Sequence, residues 1–439
     1  MTTDKRSFLF VLALTAFVGT AAATKADARE TGQAPTSTNQ PAPPAPQATT
    51  VPPRVFLDCF ECDLDYMRQN VDFVEYVRDR ENADLHVLVM TLGTGGGGLS
   101  WTVRVLGLKR FQGQDRLLTF TTPPSATDDE RRQEFARRFK IGLAGFAADT
   151  SSAPRLDLTW QPTAAAKETP KQRDPWNAWV FRTNVSGSIT GEEHQSSNAY
   201  RVSLSASRVT SNWKLNVSGN SNVNRNSFDL ADGRVVSSQT TNWNFSWLSV
   251  KSLGPRWSAG ARGGASHSSF SNIERSYAIE PGIEFDVFPY ADFQRRSLTI
   301  QYTAGTLRSV YLERTIYDKV NEMTPRHGVN VSLGIREPWG ALNLYSSVTQ
   351  HLNNYSHYRT TSYGEADVRL FKGFAFNIFG EYDRSRDQIS LRKGDVSTED
   401  VLLSLQQLPS TYGYFFSFGV SYSFGSMFTG VLNPRFAGF

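Results

Sequence analysis

Trp213-Lys214-Leu215-Asn216-Val217-Ser218 alternates strictly, with Trp, Leu and Val on one parity and Lys, Asn and Ser on the other. Side chains along a strand point to opposite faces in turn, so this period of two means a β-strand with two unlike faces. The same pattern recurs at 200–206, 243–247, 277–287, 329–335, 366–370 and 414–424. A soluble sandwich hides its apolar face. So many strands with Ser, Asn, Gly and charges on the other face imply a closed barrel, apolar outside and wet inside.

Working outward, about twelve strands are expected over 177–439: 177–190, 197–211, 213–226, 236–252, 256–272, 275–289, 292–308, 327–338, 341–355, 360–371, 374–388 and 411–425. The even number suits a single-chain antiparallel barrel. Tight links (Ser211-Asn212, Leu253-Gly254-Pro255, Pro338-Trp339-Gly340, Lys372-Gly373) alternate with longer polar ones near 191–196, 227–235, 309–326 and 389–410. In such barrels the short turns face the periplasm and the long loops face outward.

Upstream, Lys5 and Arg6 precede an apolar run over 8–23, followed by small residues, which predicts a secretory signal peptide within 1–28. No apolar stretch reaches the ~20 residues of a spanning helix. Losing Lys5, Arg6 and Asp4 takes the net charge from +4 to near +3, too neutral to imply nucleic acid. Residues 29–53, rich in Pro, Ala, Thr and Gln, have the composition of a disordered tether.

Residues 54–164 change character. A short strand at 55–57, a helix over 63–80, strands at 85–90, 101–106 and 117–121, and a helix opened by the capping box Thr127-Asp128-Asp129-Glu130 predict a small α/β sandwich. With a polar linker at 165–176 ending in Trp176, the chain reads as an α+β multidomain protein. A transmembrane barrel follows a periplasmic α/β domain.

The inward parity carries Arg182, Arg201, Lys214, Arg262, Glu280, Glu284, Asp286, Arg336, Glu365, Asp367, Arg369, Glu381 and Asp383. On the lipid side each charge would cost ~2–4 kcal/mol near the midplane, so their confinement to one face is meaningful. They either line a narrow pore that selects solutes by charge or form an Arg–carboxylate network that holds the barrel together.

Cys59-Phe60-Glu61-Cys62 is the one cysteine pair. Its even count in an exported chain points to a disulfide. A redox pair is disfavoured because Asp58, Glu61, Asp63 and Asp65 would raise a thiol pKa, and a metal site lacks further ligands beyond His86. Glycines 95–98 lack the Lys-Ser/Thr of a phosphate loop and read as a hairpin turn. No cofactor or metal is expected.

The alternating aromatic strand 414–424 and the terminal Phe439 resemble those of Gram-negative outer-membrane β-barrels as an architectural class. That resemblance implies contact with outer-membrane lipid and lipopolysaccharide and assembly by the barrel-insertion machinery; His351 and His357, near an outer loop, are read as binding lipopolysaccharide phosphate or nothing. It also places the upstream domain in the periplasm, open to a protein or cell-wall partner. His267-Ser268-Ser269 resembles the His-x-Ser pair of the outer-membrane phospholipases, whose barrel also has twelve strands. Their orienting Asn on the next strand has no counterpart in 277–280. The expectation is a non-enzymatic barrel: a narrow channel for small polar or ionic solutes gated through its periplasmic domain, or a non-conducting anchor for a partner-binding domain. An outer-membrane hydrolase is the remote alternative.

Overall fold

A computed structural model describes residues 51–148, 150–156, 174–229, 233–394 and 410–428. The expected leader, the tether up to residue 50, and the linker up to residue 173 lie outside them.

The α/β domain runs β1 (Arg54–Asp58), α1 (Leu64–Asn70), β2 (Glu75–Tyr76), β3 (Leu85–Gly93), β4 (Leu99–Gly107), β5 (Arg116–Thr122) and α2 (Asp128–Ala147). Its sheet has the order β2-β1-β3-β4-β5, with β1 parallel to both neighbours and the rest antiparallel. Helix α2 starts where the capping box requires: the Glu130 amide donates to Thr127 Oγ1 while Glu130 Oε2 accepts from the Thr127 amide. Phe135, Phe139, Leu143 and Phe146 of α2 bury against Val55, Val87 and Val103 of the sheet.

One helix is shorter than expected. The apolar spacing of 63–80 predicts a helix throughout, yet α1 stops at Asn70 and the chain turns back as β2. Val71, Val74 and Tyr76 are buried all the same. Pairing Tyr76 with Val55 covers the open edge of β1, and the Tyr76 hydroxyl donates to the Met67 carbonyl at 3.1 Å to hold the reversal. Backbone pairing at a sheet edge outweighs the continuation of one helical stripe.

The second sheet is a twelve-stranded antiparallel meander of consecutive neighbours. Its strands are β6 (Trp179–Glu192), β7 (Gln195–Val209), β8 (Trp213–Asp229), β9 (Val235–Ser252), β10 (Trp257–Ser268), β11 (Ile273–Asp286), β12 (Arg296–Tyr311), β13 (Asn321–Glu337), β14 (Gly340–His351), β15 (Tyr358–Phe371), β16 (Phe374–Ser385) and β17 (Tyr412–Tyr422). The loop expected at 191–196 is instead a two-residue turn, because Gln195, Ser196 and Ser197 pair with both β6 and β8. No β6–β17 pairing is present among the described residues, so the ladder is open along that seam, where the sequence implies closure. Beyond β17 the chain leaves the sheet, and Phe428 bridges to Val77 of the α/β domain.

Strand-to-strand register gives each face its character. Val185 lies opposite Val202, Val217 opposite Trp247, Ile283 opposite Tyr302, Val329 opposite Val348 and Ile378 opposite Phe418. These side chains form the outer face, half-buried to exposed, with Val185 at 72% and Phe418 at 69%. An exposed apolar face of this extent is the lipid-facing surface of an outer-membrane-type barrel. Trp213, Trp257 and Trp339 sit at the end bearing the short turns, at the level expected of an interfacial aromatic girdle.

The candidate functional site: a lumen capped at both ends

At the short-turn end, the α/β domain packs against the barrel. The stretch Leu85-His86-Val87-Leu88-Val89-Met90 of β3, apolar except for His86, is buried on both faces. Leu85, Val87 and Val89 belong to the helix-covered core, whereas His86, Leu88 and Met90 lie on the opposite face. On that second face the Arg369 guanidinium of β15 sits over the Phe56 ring and grips Asp58 with both terminal nitrogens, at 2.5 and 2.7 Å. Buried His86 reaches the same carboxylate through Nε2 at 3.2 Å. Burial alone would raise the Asp58 pKa. Hydrogen bonds from His86 and Arg369, with the charge of Arg369, outweigh it and hold the carboxyl down at about 2.

The β3–β4 hairpin extends this docking into the lumen. Its tip, Thr94-Gly95-Gly96-Gly97-Gly98, lies against the inner wall of the first barrel strands, and the Ser207 hydroxyl donates to the Gly95 carbonyl at 3.5 Å. A side chain on Gly95 would run into Val209, and one on Gly97 into the Arg182 guanidinium. Gly97 also has φ +85°, a conformation that strains other residues. The glycines make a thin finger that fits where a bulkier turn would not.

Behind the finger is a cavity of about 820 Å³. All thirteen sequence-predicted charges project from the face that lines the lumen: Arg182 lies opposite Ser205, Arg201 opposite Ser186 and Asn222, Arg262 opposite Glu280, and Asp367 opposite Asn377. They are not one network. Glu280 is nearly buried and accepts from Arg262 at 2.7 Å and Arg326 at 2.6 Å, tying β10, β11 and β13 together. Deleting one member of a buried pair leaves its partner uncompensated, at a cost of ~3–5 kcal/mol. Arg369 serves the domain contact. Among the described residues, Asp383 accepts from the Thr361 hydroxyl, at 2.7 Å. Arg182, Lys214, Glu284 and Asp286 all border the cavity, and none of them has an ion-pair partner among the described residues. Arg326 and Asp58 were not legible as site residues, because each acts through a partner distant in sequence.

The long-loop end is crossed by residues 386–394, which leave β16 and reach the turns after β10 and β12. Ile316 and Lys393 amides donate to the Leu391 and Arg314 carbonyls, each at 2.9 Å. Buried Asn272 fastens the strap: its amide nitrogen donates to the Glu313 and Ser390 carbonyls, and its oxygen accepts from the Glu313 amide. Ile389 and Leu391 of the strap itself are buried.

The remaining candidates are scattered. His267 faces outward, stacked on Trp243, and its Nδ1 contacts the Glu274 carbonyl. Ser269 lies beyond the end of β10 and accepts from the Thr241 amide. No hydrogen bond joins the two among the described residues, and Asn272 serves the strap. His351 is buried beside His357 and does not present itself to a headgroup. Cys59 and Cys62 are bonded to each other, with Cα atoms 5.6 Å apart, between β1 and α1.

No family model and no curated protein matches the sequence. Among solved structures, the NanC porin aligns over 55% of this chain and 99% of its own, at 13% identity and a TM-score of 0.27. The translocator domain of the autotransporter NalP from Neisseria meningitidis aligns over 56% of this chain and 82% of its own, at 13% identity and a TM-score of 0.18. Likeness this weak bears on nothing about what the chain does. The chain has the architecture of an outer-membrane β-barrel, carried by its own twelve-stranded meander and outward apolar face.

Proposed function

We propose that this protein is a gated outer-membrane channel for small polar or ionic solutes, with the α/β domain as its periplasmic gate. The observation that carries this reading is the glycine finger lodged beside a cavity lined by charged side chains. A domain that is merely anchored needs a tether, not a finger inside the lumen. The strap at the far end supports the same reading, since it makes the described arrangement a closed one. The anchor reading would use the outer face of α2 as a partner surface. There Arg137 and Arg138 are paired with Glu134, and Arg131 with Asp128, as on an ordinary solvated helix.

Planar-bilayer conductance tests the proposal. The full chain is expected to conduct rarely. A variant with residues 94–98 replaced by a two-residue turn is expected to open severalfold more often while keeping its folded gel mobility. A silent bilayer from both proteins, each correctly folded, would overturn the channel reading in favour of the anchor.

A further inference from the structure

The unpaired charges around the cavity are segregated. Arg182 and Lys214 project from β6 and β8, while Glu284 and Asp286 project from β11. Five ladder steps separate β6 from β11 and three separate β8 from β11, so the cations and the carboxylates stand on different stretches of the wall around the cavity. The Arg182 guanidinium lies against Gly97, and neither Arg182 nor Lys214 has a hydrogen-bond or ion-pair partner among the described residues. The two carboxylates are each oriented by a hydroxyl, Glu284 by Ser258 at 3.0 Å and Asp286 by Thr299 at 2.7 Å. A hydroxyl leaves the charge of a carboxylate uncompensated, and its other acceptor positions stay free. Nearby, Glu280 has two arginines, so the same wall can pair its acids where pairing is what the fold needs.

Resting on the channel reading, we propose that this cavity is a binding site for a small zwitterionic solute. Its carboxylate would lie toward Arg182 and Lys214, and its ammonium toward Glu284 and Asp286. A simple anion would satisfy one wall while facing two carboxylates across the cavity, and a simple cation would meet the reverse. Only a dipolar molecule engages both. The volume, about 820 Å³, is within the range of small-molecule sites and leaves room for bridging water.

Isothermal titration of the full chain in detergent, with 4-aminobutyrate against the matched mono-ions butyrate and butylammonium, tests this without requiring conduction. The zwitterion is expected to bind at least tenfold more tightly than either mono-ion. In Arg182→Gln/Lys214→Gln and in Glu284→Gln/Asp286→Asn that preference is expected to vanish, with heat-modifiable gel mobility confirming that both variants fold. Equal binding of all three probes, or no saturable binding by a folded chain, would overturn the proposal. A chain that conducts yet shows no zwitterion preference sinks the site and leaves the channel. A chain that shows the preference but never conducts sinks the channel and leaves a binding site.

Discussion

At the scale of single residues, Asp58 joins the two halves of the molecule. Its lowered pKa means that the ionised form is favoured when docked. That contribution is complete above the ordinary carboxyl value near ~4 and is lost as pH falls toward about 2. Docking through Asp58 is therefore expected to be flat from pH 5 to 8 and to weaken only below ~4. The shift is shared between His86 of the same domain and Arg369 of the barrel, so only part of it belongs to docking. Asp58→Asn should accordingly speed hydrogen exchange in β1 and β3 severalfold at neutral pH, leaving the barrel strands unchanged. Exchange no faster than in the wild type would show that Arg369 and Asp58 do not secure the domain. Neither residue could be paired from the sequence. Asp58 reads there as one acid in an acidic stretch, and Arg369 as one of many lumen charges, 311 residues away.

At the scale of elements, the strap depends on one amide. Asn272 sits at φ +60°, a region that Asn tolerates better than most side chains. Asn272→Gly keeps that backbone conformation and removes three hydrogen bonds, to the Glu313 and Ser390 carbonyls and from the Glu313 amide. A loss of ~2–3 kcal/mol of local stability follows. Amides at 311–316 and 389–393 should exchange at least tenfold faster, with β6–β9 unaffected. Uniform acceleration across the barrel would mean that the loops and wall unfold together, and the strap would not be a separate element. The strands themselves were legible because alternation is a local property. The strap was not, since its pairing of 314–316 with 391–393 follows no repeat, and Asn272 looked like an ordinary turn residue. The β3–β4 turn was recognised from its glycines, but its insertion was not. The available sign was the stretch 85–90, apolar on both parities apart from His86, which implies a strand covered on both faces.

At the scale of the whole molecule, the open question is the seam. β6 and β17 present unpaired backbone groups, and hydrocarbon offers these no partner. In a bilayer the two strands must therefore close on each other, completing a ladder of twelve. Amides of β6 and β17 are expected to be as protected from exchange in lipid as those of β9 and β10. The closed form should also resist unfolding by detergent until heated. Rapid exchange confined to β6 and β17 in lipid-embedded protein would contradict a closed barrel.

The sequence by itself determined the twelve strands, their two faces, the side on which the charges lie, the capping of α2 and the α/β domain ahead of the barrel. Each depends on spacing or on neighbours a few residues apart, where periodicity and side-chain preference act directly. Tertiary structure alone decided that α1 ends at Asn70, that a glycine finger enters the lumen, that Arg369 holds Asp58, and that a strap crosses the far end. It also decided which lumen charges are paired and which stand free around the cavity. Those outcomes turn on which surfaces are left uncovered once the local elements form, and on charges brought together across hundreds of residues. No pattern along the chain encodes such contacts, because the energy that selects them exists only when the pieces meet.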